Sequence, residues 1–300
     1  MKTKIEELRT NPQKMSQEIE EFIRQNLQAL GREGAAVALS GGLDSAVVAM
    51  LAVRSLGSQK VHLVNLPERD SNPIHRQHAR QLAQELGIEL QVIDITSALR
   101  AAGAYRSLPL WLVPSRRLRG RLVTYGREKL IKHNDERIFM DRMNADGKSW
   151  MARGNSYGMS KHRMRMLLIY QYAEVRNLMV VGAANRTEVM TGTYCKWGVD
   201  HCADIMPVMH LYRSQLEQVA DYIHVPDYIR TKPSDPDLYP TRIDKGEFLG
   251  GFEKADQVLF NLENSVAKEA LVPVYGQKMV EQLEALYQAS AHMREAPFHL

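Results

Sequence analysis

The sequence predicts an α/β protein, an open parallel sheet flanked by helices on both faces and interrupted by a basic insertion. Three features carry this expectation. Short apolar runs alternate with stretches of helical periodicity, glycines fall at the junctions between them, and a glycine-rich turn links the first apolar run to the helix after it. Strands and helices alternating at this spacing build a parallel sheet joined by right-handed crossovers.

Each element has a local reason. Asn11 caps a first helix, Pro12 suits its first position, and Ile19, Phe22, Ile23 and Leu27 repeat at helical spacing until Gly31. Residues 35–39 (Ala-Ala-Val-Ala-Leu) are apolar throughout, as in a buried strand; Ser40 to Ser45 is a turn, and a helix follows from Ala46 to Leu56, ended by Gly57. A second strand is expected at Val61 to Leu66, a helix from about Pro73 to Leu86 that breaks at Gly87, and a third strand at Glu89 to Ile95. The alternation then lapses over 101–159, a stretch punctuated by Pro109, Pro114, Gly120, Gly126 and Gly147. That is too long for a simple connection and reads as a lid or an inserted subdomain within one domain spanning 1–300. Regularity resumes with a helix from Lys161 to Arg176 and a strand at Leu178 to Gly182. Further helices are expected at Arg213 to Ile223, Glu253 to Leu262 and Gly276 to Ala289, with Lys232 to Leu238 as a loop.

Bulk properties narrow the setting. At 300 residues, 44% hydrophobic and 25% charged, the chain can bury a core without covalent staples. Two cysteines, Cys195 and Cys202, are too few for a secreted disulfide framework, and no apolar run approaches the roughly 18 residues a membrane helix needs. The amino terminus lacks the apolar core of a signal peptide, so a cytoplasmic location with no membrane partner is expected. Net charge is +4, but Arg100 to Arg165 holds 16 Lys/Arg against five Asp/Glu. Such a stretch is either a solvated basic loop or a surface for an anionic partner. Nucleic acid is not expected, because no recognition module or aromatic interleaving accompanies the arginines.

Chemistry concentrates at Ser40-Gly41-Gly42-Leu43-Asp44-Ser45, between a predicted strand and a predicted helix. The first amides of that helix lack internal partners and its dipole is positive there, so phosphate oxygens fit. Gly41 and Gly42 permit close approach of backbone to ligand, and Ser40 and Ser45 add hydroxyls. Asp44 would repel phosphates unless a divalent cation lay between, and its presence predicts Mg²⁺. Gly147-Lys148-Ser149 looks like the end of a Walker loop, but Arg142 stands where that loop needs its first glycine.

This hexapeptide resembles the hallmark loop of the ATP pyrophosphatase (PP-loop) superfamily, and several further segments resemble its ammonia-dependent NAD synthetases. They include His162-Arg163-Met164-Arg165-Met166, the run from Gly182 to Gly192 with Asn185 and Glu188, Cys195-Lys196-Trp197-Gly198 followed by Asp200, Asp204-Ile205-Met206-Pro207, Lys232 to Leu238, and the tail from His292 to Pro297. The resemblance implies an adenine nucleotide alpha hydrolase-like fold and a homodimer. It also implies ATP-driven adenylation of a carboxylate, deamido-NAD foremost, with ammonia, free or from a separate glutaminase, displacing AMP to give NAD. It assigns Ser40, Gly41, Gly42, Asp44, Ser45, Lys196 and Ser234 to ATP, and Asp44 and Glu188 to Mg²⁺. Arg163, Asp200 and Lys232 are assigned to the acyl substrate, and Asp44 and Lys196 to catalysis. Of the two arginines in 162–166, Arg163 is expected to reach ligand phosphate and Arg165 to be structural or at the dimer interface.

The sequence also departs from the family pattern at Asp244-Lys245, Ala183, Met159 and the basic insertion. These departures keep alternatives open: an adenylating ligase or sulfur-inserting enzyme for another anionic substrate, or a nucleotide-binding module without turnover. The cysteines read either as sulfur-handling groups or as small buried hydrophobes.

Overall fold

The computed structural model describes residues 4–107, 112, 113, 115–130, 150–232, 237 and 245–296. Helix α1 (Pro12–Ala29) is capped by Asn11, whose side chain accepts from the Lys14 amide, with Pro12 opening the first turn. Strand β1 (Gly34–Ala38) runs into α2 (Leu43–Leu56), β2 (Val61–Asn65) into α3 (Pro73–Glu85), and β3 (Gln91–Val92) into the short α4 (Thr96–Ala101). Helices α5 (Arg116–Leu130) and α6 (Trp150–Glu174) precede β4 (Leu178–Val181). After it come α7 (Arg186–Thr191), α8 (Arg213–Tyr222), α9 (Asp227–Arg230), α10 (Lys245–Leu249), α11 (Phe252–Glu263), α12 (Lys268–Tyr275), α13 (Gln277–Ala289) and α14 (Ala291–Arg294).

The four strands are parallel in the order β3-β2-β1-β4. Side chains alternate across the sheet, as the strand period of two requires. Ala35, Val37, Val61, Leu63, Met179 and Val181 join α1, α2, α3 and α8 in one core, while Ala36, Val64, Leu178 and Val180 pack on the other face with Leu99 of α4 and Tyr157, Ile169 and Ala173 of α6. A third core unites α11, α12 and α13 at the carboxyl-terminal end. Helices on both faces of a parallel sheet are the architecture the alternation predicts.

Three boundaries differ from expectation. The third strand is two residues long, because the Asp94 carboxylate accepts from the Thr96 amide and turns the chain into α4. Pairing nevertheless extends past it, with the Ile93 and Ile95 amides bonded to the Asn65 and Pro67 carbonyls. Helix α2 begins at Leu43, which brings Asp44 and Ser45 into its first turn. Helix α6 begins at Trp150 and reaches back into the stretch expected to lapse, although Gly154 and Gly158 lower its propensity. Fully buried Tyr157 and Lys161 hold this part in place, so tertiary burial outweighs composition.

Candidate active site

The strand order places the site. Chain direction along the sheet reverses between β1 and β4, and in open α/β sheets the crevice beyond the carboxyl ends at such a point is where ligands bind. The loops leaving β1 and β4 therefore face each other. Asp44, after β1, and Asn185, after β4, meet there: Asn185 Nδ2 donates to Asp44 Oδ1 at 2.8 Å. Glu188 completes a capping box on Asn185, accepting from the Asn185 amide at 3.4 Å while its own amide donates to Asn185 Oδ1.

The glycine-rich turn is held by its own hydroxyls. Ser40 Oγ and Ser45 Oγ lie 3.0 Å apart, the Ser40 amide donates to Ser45 Oγ, and the Gly42 amide donates to Ser40 Oγ. Gly42 caps α2 without a side-chain bond. Gly41 has φ +79°, and a Cβ there would lie 2.1 Å from the His75 carbonyl oxygen, so only glycine fits between the turn and α3. From the other side, Lys232 Nζ donates to the Gly41 carbonyl at 2.8 Å.

Ser40, Gly42, Asp44, Ser45, Glu188, Asp200 and Lys232 line one cleft, together with Arg165 and Arg213. Asp200 approaches His162 Nδ1 at 3.1 Å. Lys196 follows cleft-lining Cys195 but is not itself on the wall; its ammonium donates to the carbonyls of His292 and Glu295 in the tail. Ser234 lies outside the described residues, as does Asp244.

The arginines of α6 reverse the expectation. Lys161, Ile169 and Ala173 are buried at four-residue spacing, and Arg165 falls on the same stripe, where its Nε donates to the Leu66 carbonyl at 3.0 Å and it lines the cleft. Arg163, about 200° around the helix from Arg165, is exposed and off the cleft wall.

Arg213 was not among the expected site residues. Its Nη1 donates to Asp44 Oδ2 at 2.8 Å and its Nε to Glu217 at 3.0 Å. Burial opposes its charge, but Asp44 and Glu217 outweigh that and raise its pKa. The sequence held one signal: Arg213 is the first residue of α8, where the helix dipole disfavours a cation, so a basic residue there implies an acidic partner. His75 is the other unforeseen group; burial and then the charge of Lys232 push its pKa down to about 4, so the ring is neutral at physiological pH.

Asp44 and Glu188 bear on the cation expected from sequence. No cluster of three or more His, Cys, Asp or Glu suited to a metal occurs among the described residues. Two carboxylates on one cleft nevertheless fit Mg²⁺, which is commonly held by one or two carboxylates plus substrate phosphates. Asp44 accepts from Asn185 and Arg213, which leaves part of its lone-pair capacity available. Cys195 is buried and Cys202 partly so, with its thiol pKa raised by burial and then Asp204.

Comparisons with known proteins agree with this geometry. The NAD synthase family model matches residues 15–108 and 129–297. An NH3-dependent NAD(+) synthetase of Thermotoga neapolitana is 39% identical over 251 residues, 84% of this chain and 85% of its own length. One from Coprothermobacter proteolyticus is 34% identical over 268 residues, covering 89% and 90%. Among solved structures, the NMN synthetase of Francisella tularensis superposes with a TM-score of 0.70 at 23% identity, covering 97% of this chain and 99% of that one. The NH3-dependent NAD synthetase of Campylobacter jejuni gives 0.69 at 23%, covering 97% and 100%. The structural likenesses establish the fold; the family match and the sequence relatives establish that this chain belongs to the NAD synthase family.

Proposed function

We propose that the chain is a ligase that converts deamido-NAD, ammonia and ATP to NAD, AMP and pyrophosphate. The observation that carries this reading is the meeting of Asp44, Asn185, Glu188 and Arg213 across the β1/β4 crevice, beside the glycine-rich turn that Ser40 and Ser45 hold in shape. A carboxylate resists ammonia because oxide is a poor leaving group; joined to AMP, it acquires a good one. The work left to the protein is charge management and alignment of reactants, the electrostatic and entropic terms of catalysis.

Ser40, Gly41, Gly42 and Ser45 take the departing pyrophosphate in this reading, with α2 supplying its positive dipole end. Asp44 and Glu188 hold Mg²⁺, which when bound neutralises phosphate charge. Lys232 and Ser234 close over the nucleotide in this reading, which the bond from the Lys232 ammonium to the Gly41 carbonyl supports for Lys232. Lys196 neutralises charge near the reacting groups and Asp200 binds the acyl substrate. Arg165 takes the cleft-facing role that sequence gave to Arg163, and Arg213 sets the position of Asp44. Residues 1–300 act as one domain of this kind, with 101–159 as a basic insertion or lid within it. Of the described residues, no helix is long and apolar enough to cross a membrane.

A homodimer completes the proposal. Leu167 is 57% exposed on α6, opposite its buried stripe, and Val175 is 79% exposed just past the end of that helix, which supports a second copy there. Sedimentation equilibrium is expected to give twice the 34.1 kDa chain mass, and a monomer at micromolar concentration would refute it.

Incubation with deamido-NAD, ATP, Mg²⁺ and ammonia is expected to release AMP and pyrophosphate in step with NAD. Asp44→Asn, matched in fold by circular dichroism, is expected to lower AMP release by about 10³-fold or more. An active ATP-cleaving protein that forms no NAD rules out this substrate.

A further inference from the structure

The family model leaves residues 109–128 unmatched, and that stretch holds Arg116, Arg117, Arg119, Arg121 and Arg127. As a solvated basic loop it would point its cations outward. Arg117 and Arg121 do, but Arg119 is 4% exposed. Its Nε donates to Asp70 Oδ1 at 2.7 Å and its Nη1 to the Val113 carbonyl, while Arg116 Nε donates to the Asp70 carbonyl at 2.9 Å. Two arginines from one turn of α5 thus grip both the side chain and the backbone of a single residue.

Asp70 belongs to the loop from Leu66 to Asn72 that leaves β2 toward α3. Its second oxygen accepts from Tyr157 of α6 at 2.5 Å, and Glu68, two residues earlier, accepts from Lys161 at 2.7 Å and Tyr105 at 2.8 Å. Both acids are buried. The residues on either side of them face the other way: Leu66, Pro67, Ser71 and Asn72 line the cleft. The loop therefore has one side in a buried lattice of two acids and two cations, and the other in the nucleotide site. Burial disfavours the Asp70 anion, but the Tyr157 hydrogen bond and the charges of Lys161 and Arg119 hold its carboxyl below the usual range, so the pair is charged at neutral pH.

We propose that Arg119 is a positioning residue for the nucleotide cleft: the added helix α5, through Arg119 and Asp70, fixes the 66–72 loop in the shape that binds ATP. The basic segment is in this respect a strut against the sheet, with its outward arginines on the opposite face. Removing one partner of a buried ion pair leaves the other charge undercompensated; with the Tyr157 hydrogen bond and the longer Arg69 contact at 3.4 Å remaining, Asp70 moves toward solvent and carries the loop away from its cleft-lining position. The geometry predicts weaker binding with chemistry retained once ATP is bound. This inference rests on the reading of the cleft as an ATP site.

The test uses full-length Arg119→Met, Arg119→Lys, Arg116→Gln and the double variant Arg119→Met/Asp70→Asn. KM for ATP and kcat are measured at saturating deamido-NAD and ammonia, and ATP affinity by calorimetry without the second substrate. Arg119→Met is expected to raise KM and Kd for ATP about ten-fold or more while changing kcat less than about three-fold, and Arg119→Lys to recover most of the loss. The double variant, with no stranded carboxylate, is expected to bind ATP more tightly than the single one. Should Arg119→Met fail to fold, Arg116→Gln, which loses only the carbonyl contact, is expected to raise KM about three-fold. A lower melting temperature or lower kcat at unchanged KM, or a double variant no better than the single, overturns the proposal. Wild-type protein that binds ATP and forms no NAD refutes the substrate reading, and the calorimetric comparison still decides the role of Arg119.

Discussion

At Gly41, one absent methyl group separates two parts of the site. Its φ of +79° is strained for any residue with a Cβ, and the added carbon would meet the His75 carbonyl of α3 at 2.1 Å. Gly57, at the opposite end of α2, has nearly the same φ of +82° and nothing within 4 Å of its Cβ position. The pair separates conformational strain from collision. Gly57→Ala is expected to cost about 1 kcal/mol in urea denaturation and leave KM for ATP unchanged. Gly41→Ala is expected to cost about 2 kcal/mol or more and to raise that KM at least about ten-fold, because the turn must move off α3. Equal effects of the two substitutions would show that the Gly41 contact does not shape the cleft. The need for glycine at 41 was legible from sequence, since a strand-to-helix turn of that composition has few other uses. Arg165 was harder to assign: choosing between it and Arg163 needs the phase of α6, and that phase is set by the burial of Tyr157 and Lys161, which reads from sequence as part of an irregular basic stretch.

Among the elements, strands β1, β2 and β4 and helices α1, α2, α3, α8, α11 and α13 were legible because caps, glycines and apolar periodicity agreed there. Helix α5 and the part of α6 before Lys161 were obscured because their burial is carried by charged and tyrosyl groups, whose partners Glu68 and Asp70 lie about 50 to 90 residues away in sequence. Asp256 of α11 works in the same way. Wholly buried, it accepts from Thr187 Oγ1 at 2.6 Å and from the Ser214 amide at 2.7 Å, and so ties α11 to the starts of α7 and α8, which carry Glu188 and Arg213. Burial pushes its pKa up to about 6 against the lowering effect of those hydrogen bonds. With the folded pKa above the unfolded value, the native state binds the extra proton, so this group's contribution to stability is greatest at low pH and falls as pH rises through about 6. The stability of the wild type minus that of Asp256→Asn is therefore expected to shrink by about 1 kcal/mol between pH 5 and pH 8, read from urea midpoints at each pH. A difference independent of pH would show that the carboxyl titrates normally.

Across the whole molecule, the site is closed by parts of the chain that the sheet does not contain. The carboxyl-terminal core sits beside α7, and the tail beyond it turns back over the cleft's β4 side: Ser290 Oγ donates to the Met190 carbonyl, the Tyr194 hydroxyl to that of Met293, and Lys196 Nζ to those of His292 and Glu295. The turn after β1, α3 and Lys232, which the proposed function gives to the nucleotide, meet instead at Gly41. This division predicts that the two halves of the reaction can be separated. A chain ending at Ser290 retains the buried end of α13 but loses the acceptors that fix Lys196 and the contact that holds Tyr194. Its ATP affinity by calorimetry is expected to stay within about three-fold of the full chain, while kcat for NAD formation falls at least about ten-fold, because the role proposed for Lys196 depends on the carbonyls that hold its ammonium. Loss of ATP binding in step with turnover would instead mean that the tail supports the whole cleft and that the site folds as one unit.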